Sequence, residues 1–282
     1  MENYSHSSSG KSVETIVQDL KQQMPQHAAI LDQMAIYPLW RFLIQRGGLN
    51  GYWTHYIVTH PERKHEGTFE DIALSELPIA CATQQRYQIF RMIIQSYIKE
   101  GAVFASIPCG LMGELLTLDY SHIKRFKLVG IDLDEEALSQ AKEYACALKK
   151  TATFEQADAW NLPYEKHFHL IASNGLNIYV EANKQKTLFE QFYKALKPEG
   201  VLVASFLTSP NLWDQKAIKP SGLELQKIMF SELITPKFQY LQSEAEIHGQ
   251  LTEIGFKEIT FHYDHAHIFP TLVAKRSLRG SK

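Results

Sequence analysis

The residues with chemistry to offer sit at the ends of short apolar runs. Val103 to Ile107 empties into Pro108-Cys109-Gly110-Leu111-Met112-Gly113, and Leu128-Val129-Gly130-Ile131 stops at an acid, Asp132. Further along, Gln156-Ala157-Asp158-Ala159-Trp160 carries a second acid, and His169-Leu170-Ile171-Ala172 ends at Ser173-Asn174. Gly110 and Gly113 suit a tight strand-to-helix turn, where a missing Cβ lets backbone come close to a ligand. A helix from about Met112 would offer unpaired amides and a positive dipole end to a carboxylate or phosphate. Asp132, twenty-two residues beyond Gly110, can accept hydrogen bonds from both hydroxyls of a ribose. Asp158 could accept from an exocyclic amine while the Ala159 amide donates to a ring nitrogen. These are the needs of a nucleoside-bearing cofactor.

The elements that must position these residues follow from the pattern around them. Each run is short, apolar or β-branched, and bounded by turn residues, as buried parallel strands are. Helical periodicity lies between the runs, as in residues 134–149, and Leu196-Lys197-Pro198-Glu199-Gly200 leads into a further run, Val201 to Phe206. Strand-helix alternation builds an open parallel sheet with helices on both faces. Ligands bind such sheets outside the carboxyl ends of the strands, which is where the unusual residues fall.

With these segments in this order, the chain resembles the class I S-adenosylmethionine-dependent methyltransferases. The matching stretches are Val103-Phe104-Ala105-Ser106-Ile107-Pro108-Cys109-Gly110, Val129-Gly130-Ile131-Asp132-Leu133, Ala157-Asp158-Ala159 with Leu162-Pro163, Leu170-Ile171-Ala172-Ser173-Asn174, and Leu196-Lys197-Pro198-Glu199-Gly200. Leu251-Thr252-Glu253-Ile254-Gly255-Phe256 resembles the family's final helix and turn, and 260–263 with 271–275 resemble its closing antiparallel hairpin. The likeness implies a doubly wound α/β fold, Rossmann-like, with a seven-stranded, mostly parallel sheet. It implies S-adenosylmethionine as cofactor, held by Ser106, Pro108, Gly110, Asp132, Leu133, Asp158, Ala159 and Asn174. No single motif is specific; their order and spacing carry the case.

The chain departs from the family at the first strand. An acid is usual two residues before the first turn glycine, and Ser106 takes that place; Pro108 and Met112 stand where glycines are common. A serine hydroxyl accepts a hydrogen bond but brings no charge to oppose the cofactor's ammonium. Either cofactor binding is weaker, or the charge comes from elsewhere, such as Glu114 or the amino-terminal segment.

Two regions exceed a minimal methyltransferase. Residues 1–100 read as a helical cap, with helices over 12–31, 37–45, 69–77 and 84–99 and a glycine-aromatic loop over 47–56. Residues 209–244 read as an insertion after the fifth strand, containing Trp213, Pro220, Met229, Phe230, Pro236, Phe238 and Tyr240. The core is then 101–208 with 245–282. In the resembled family both regions cover the mouth of the cleft, so the insertion reads as a lid. The aromatic cluster, Tyr37, Trp40, Phe42, Tyr52, Trp53 and Tyr56, has two readings. It packs the cap helices together, or Tyr52, Trp53 and His55 line the acceptor site. After the fourth strand, Asn174, Asn177 and Tyr179 are the nearest acceptor-side candidates.

Composition bounds the partners. Net charge is −2 over 282 residues with both signs dispersed, so no extended nucleic-acid surface is indicated. No apolar run reaches the roughly twenty residues of a membrane span, and residues 1–11 lack the apolar core of a signal peptide. Cys81, Cys109 and Cys146 lack metal spacing, and Cys109 has no evident base beside it and reads as packing. His262, His265 and His267 alternate oddly in the closing hairpin, so no metal is expected. The expectation is a cytoplasmic monomer or homodimer that methylates a small molecule by in-line displacement. The rivals are an RNA or protein methyltransferase and an inactive binding protein with a relict cofactor fold.

Overall fold

A computed structural model of the chain describes residues 10–64, 66–235 and 240–278. Residues 1–9, Pro236 and Phe238 of the segments above lie outside the described residues.

Seven strands form one sheet: β1 Ala102–Ser106, β2 Phe126–Asp132, β3 Thr153–Gln156, β4 Phe168–Ser173, β5 Leu196–Ser205, β6 Phe256–His262 and β7 Thr271–Arg276. Their order is β3-β2-β1-β4-β5-β7-β6, parallel except at β7, which runs antiparallel to both β5 and β6. The order reverses between β1 and β4, and a crevice opens at such a reversal outside the carboxyl ends. Ser106, Asp132 and Ser173 are the last residues of β1, β2 and β4, so the strands deliver them to that edge.

Alternation along the strands divides the core into two layers. Ala105, Ile131, Ile171, Leu202 and Leu272 pack on one face with Leu188, Phe189, Phe192, Ile247 and Leu251. Those partners come from α9, Ala182–Ala195, and α11, Glu244–Ile254. Phe104, Leu128, Leu170, Val203 and Val273 pack on the other face with Phe90, Ile93 and Ile94 and with Leu138 and Ala141. These belong to α6, Pro78–Ser96, and α8, Glu135–Ala147. Asp134 caps α8 by accepting from the Glu136 amide, placing the helix directly behind Asp132.

The cap differs from its sequence reading in three places. The helix over 12–31 is two helices, α1 Val13–Gln23 and α2 Ala28–Ile36, because Pro25 lacks an amide hydrogen to continue α1. Helix α6 starts at Pro78, not at residue 84, with proline in its first turn where no donor is needed. The glycine-aromatic segment is no loop: Gly51–Val58 forms α4, with the Asn50 side chain accepting from the Trp53 amide as N-cap. Helices α3, Pro38–Arg46, and α5, Phe69–Glu76, stand where periodicity places them. The helix after the glycine turn, α7, is a single turn, Gly113–Leu116, too short to carry a sizeable dipole.

The insertion packs on the cap and on the segments after β5 and before β7, where Ile218 and Trp213 share a cluster with Leu207, Ile268 and Phe269. Its helix α10, Pro220–Lys227, continues into a wide turn, Ile228–Leu233. Met229, Leu233 and Ile234 share one apolar cluster with Leu31, Met34, Trp40 and Leu74. Trp53 packs into the same cluster, its ring 6.0 Å from Phe42, 4.9 Å from Tyr52 and 5.3 Å from Tyr56.

Helix α4 also reaches the sheet edge. A Cβ built on Gly51 lies 2.7 Å from Gly110 Cα, so the two backbones meet with no room for a side chain. Alanine is the better helix former by about 1 kcal/mol, so propensity alone favours Gly51→Ala. The clash is with backbone, which cannot swing aside, so we expect a net loss of about 1–3 kcal/mol by urea denaturation. At Gly48 a Cβ meets nothing within 4 Å, and Gly48→Ala serves as the control. Equal midpoints for the two variants would contradict the close contact.

Candidate active site

At the end of β1 an acid from another position meets Ser106. The Ser106 hydroxyl donates to Glu114 Oε1 at 2.5 Å, and both side chains are buried. Burial pushes the Glu114 carboxyl above the usual carboxylate range, with the hydrogen bond from Ser106 opposing the rise. Glu114 belongs to α7, so the serine and the acid are brought together by the glycine turn between them.

That turn is held by Asp132. The Gly110 amide donates to Asp132 Oδ2 at 2.9 Å and the Asp134 amide to Oδ1 at 3.1 Å. Each carboxylate oxygen keeps a lone pair for a further donor. Burial raises the Asp132 pKa while these amides lower it. Gly110 adopts φ +46°, the left-handed region that glycine tolerates, and the Ile107–Pro108 peptide is cis. Next to Asp132, Leu133 stands 61% exposed, an apolar surface free to flank a flat ring. Asp158 Oδ1 closes its own turn by accepting from the Trp160 amide at 2.9 Å. The Ala159 side chain is buried in the sheet core, which leaves its backbone as the group that can meet a ligand.

Helix α4 roofs this turn. Besides Gly51 on Gly110, a Cβ built on Gly113 would meet His55 Nδ1 and the Tyr87 hydroxyl, each at 2.9 Å. The His55 ring also sits 4.6 Å from Tyr144 of α8. Burial, with Arg63 adding, lowers the His55 pKa and favours the neutral ring. The helical period thus separates the three cap candidates. His55 faces the glycine turn, Trp53 faces the cap's aromatic cluster, and Tyr52 is 44% exposed.

On the other side of the crevice, polar groups accumulate without partners. Among the described residues, Ser173 Oγ, Asn174 Oδ1, Asn177 Oδ1, Ser205 Oγ and Thr271 Oγ1 are buried and accept or donate no hydrogen bond. Native proteins leave few such atoms, and they collect where a ligand or water completes the site. Asn177 Nδ2 donates to the Ser205 carbonyl at 3.2 Å, fastening the turn Leu176–Tyr179 to β5. Ser205 and Thr271 face each other across β5 and β7.

Arg86 is the residue the motif reading missed. It projects from α6 and is 3% exposed, with its guanidinium carbon 4.5 Å from the centre of the Phe269 ring. Its Nη2 lies 3.6 Å from a Cβ built on Gly175, immediately beyond Asn174. Burial lowers its pKa to about 10, with Tyr179 and Asp264 working against that fall. One signal was available: 82, 83, 86, 90, 93 and 94 are inward positions of α6, and Arg86 is a charge among apolar and small residues.

The remaining candidates do not form sites. Burial, with Asp132 and Glu114 adding, pushes the Cys109 thiol far up, so no thiolate nucleophile stands there. Cys81, Cys109 and Cys146 are free thiols. His265 approaches Gln85, and His267 stacks on Tyr263 at 4.6 Å. No metal-binding group of three histidine, cysteine, aspartate or glutamate side chains is formed among the described residues.

Residues 108–200 match the methyltransferase-domain family, the stretch that contains the glycine turn, Asp132, Asp158 and Asn174. The chain is 36% identical to a solved structure from Bordetella parapertussis described as a possible exported protein, covering 98% of this chain and 99% of that one at a TM-score of 0.90. Phosphoethanolamine N-methyltransferase 3 of Arabidopsis thaliana is 33% identical over 117 residues, covering 40% of this chain and 23% of that protein. The chain therefore spans only a part of that plant relative's length. The fold is shared by magnesium protoporphyrin IX methyltransferase from Synechocystis PCC 6803, solved with S-adenosylhomocysteine bound, at 16% identity and a TM-score of 0.56 over 80% of this chain and 94% of that one. The strand order and the methyltransferase domain matched over 108–200 are those of the class I S-adenosylmethionine-dependent methyltransferases.

Proposed function

We propose that the protein transfers the methyl group of S-adenosylmethionine to a small molecule bound across the ends of β4 and β5. The observation that carries this reading is the pair of buried contacts at the reversal point, Ser106 to Glu114 and Gly110 to Asp132. On this reading the first carboxyl serves as countercharge to the cofactor's ammonium and the second accepts from its ribose hydroxyls. When bound, the cofactor supplies a methyl group already activated on a sulfonium.

The chain's own residues have the remaining tasks. Asp132 holds the ribose, Leu133 flanks the base, and Asp158 and the Ala159 backbone read its edge. The Pro108 and Gly110 turn supports the amino-acid end, with Glu114 opposing its positive charge through Ser106. Asn174 stands between cofactor and acceptor, and the chain's main catalytic work is to align the two and exclude water. On this reading 1–100 and 209–244 form the substrate-side cover over a core of 101–208 and 245–282. The small-molecule class is supported by the Arabidopsis relative, whose name gives phosphoethanolamine as its acceptor, and by the dispersed net charge of −2. Free thiols at Cys81, Cys109 and Cys146 support a reducing, cytoplasmic setting. No helix among the described residues is long and apolar enough to cross a membrane.

Transfer of radiolabel from the methyl-labelled cofactor to pools of small molecules tests the activity. Calorimetry with S-adenosylhomocysteine tests the site. Asp132→Ala should weaken that binding by about 1.5–3 kcal/mol, the worth of charged hydrogen bonds. Unchanged affinity in a folded variant would remove Asp132 from the ribose site.

Glu114 has a pH signature. Its folded pKa is raised above the unfolded value near 4.3–4.5, so the folded state holds the proton more tightly. Its stabilising contribution is complete below the unfolded pKa and is lost as pH rises through the folded one. Glu114→Gln removes this titration, so without ligand the variant should gain on the natural protein as pH rises from 4.5 towards neutrality. At pH 8 the same variant should bind S-adenosylhomocysteine about tenfold more weakly, roughly 1.4 kcal/mol. Parallel stability curves with equal affinity would contradict the countercharge role.

A further inference from the structure

Arg86 is buried, yet its Nε and Nη1 make no hydrogen bond among the described residues. A guanidinium stays charged and is strongly disfavoured in the interior unless paired. The nearby acid cannot take it up. Asp264 Oδ1 accepts from the Ala266 and Ile268 amides, each at 3.1 Å, and Oδ2 from the Phe269 amide at 2.7 Å. Those amides fix the loop whose Phe269 ring lies against the guanidinium, so the cation is held in place by its flat face while two of its nitrogens are left without an acceptor. Nε–H and Nη1–H open on different edges of the guanidinium, and each makes a fork for two oxygens of a carboxylate or phosphate together with Nη2.

The position of this fork decides whose oxygens they are. Arg86 Nη2 lies 3.6 Å from where a Cβ on Gly175 would stand, directly after Asn174 at the end of β4, whereas a Cβ on Gly113 of the cofactor turn would meet Tyr87 and His55. On α6 these successive residues point apart, Tyr87 to the cofactor turn and Arg86 to the β4–β5 side. Ser205 and Thr271 each stand two residues along the strand from Val203 and Val273, so their unpaired hydroxyls lie on the same sheet face, the one that carries α6.

We propose that Arg86 anchors an oxyanion carried by the methyl acceptor, a carboxylate or a phosphate, with Ser205 and Thr271 as neutral donors on the same face. This deepens the methyl-transfer reading and rests on it for the word acceptor; the anion site itself does not.

The test is a calorimetric titration of the full chain with malonate and, separately, with inorganic phosphate, each with S-adenosylhomocysteine saturating. The natural protein should bind at least one of them, and the arm that binds tells carboxylate from phosphate. Arg86→Met should weaken that binding at least tenfold and leave the affinity for S-adenosylhomocysteine within threefold. Its melting temperature without anion should equal or exceed that of the natural protein, because an unpaired buried charge is gone. If Arg86→Met fails to fold, Arg86→Lys keeps the charge without the fork and should still weaken the anion at least threefold. Binding of neither anion by the natural protein, or equal anion affinity in the variant, would overturn the proposal. A tenfold loss of S-adenosylhomocysteine binding in Arg86→Met would overturn it too, assigning the fork to the cofactor's own carboxylate. Radiolabel transfer confined to uncharged acceptors would also overturn it. Failure of the natural protein to bind S-adenosylhomocysteine would instead end the methyl-transfer reading, while titration with the anions alone would still judge Arg86.

Discussion

Two glycines, Gly51 and Gly110, bring the backbones of the cap and the core into contact, and the site is arranged around that meeting point. Because neither residue has a side chain, α4 lies directly on the turn between β1 and α7. The helix then has only one rotation left to it. His55, one turn after Gly51, faces Gly113, while Trp53 turns back into the aromatic interior of the cap. The insertion is tied to the same unit through Met229 and Leu233, and on the proposed reading cap and insertion form one cover over the reversal point of the sheet.

Under that cover the chain keeps charges that burial alone would disfavour. Glu114 and Asp132 hold carboxyls against the cofactor turn, and burial raises the pKa of both. Arg86 holds a positive charge on the far side of β4. A fold selected for stability alone would place apolar groups at these positions. Sites that must receive a charged ligand carry this cost, and unpaired polar atoms cluster there as a result. The negative end then suits the ammonium of the cofactor, and the positive end suits an anionic group presented beside it.

Much of this was written in local sequence. Short apolar strands ending at Ser106, Asp132 and Ser173 announce a parallel sheet and its ligand edge, because strand burial and turn residues are local signals. The rest depends on contacts between distant segments. Gly-Gly-Leu-Asn-Gly followed by aromatics looks like a loop, and only the Asn50 cap and the docking on Gly110 make α4 of it. Glu114 was legible as one candidate for the missing acid, but its partnership with Ser106 needs the turn to fold back on β1. Arg86 escaped because it carries no motif; its meaning comes from being buried, which composition does not report. Pro25, by contrast, was a local signal for the break between α1 and α2 that the long amphipathic pattern obscured.

On the proposed reading the cofactor binds at the ends of β1 and β2 beneath α4. Amide hydrogen exchange with and without S-adenosylhomocysteine tests it most directly, since exchange reports opening segment by segment. With ligand bound, exchange should slow in the turn 108–114, at 132–134 after β2 and, in the same experiment, across α4. Protection confined to other regions, or none at a ligand concentration that saturates by calorimetry, would contradict it.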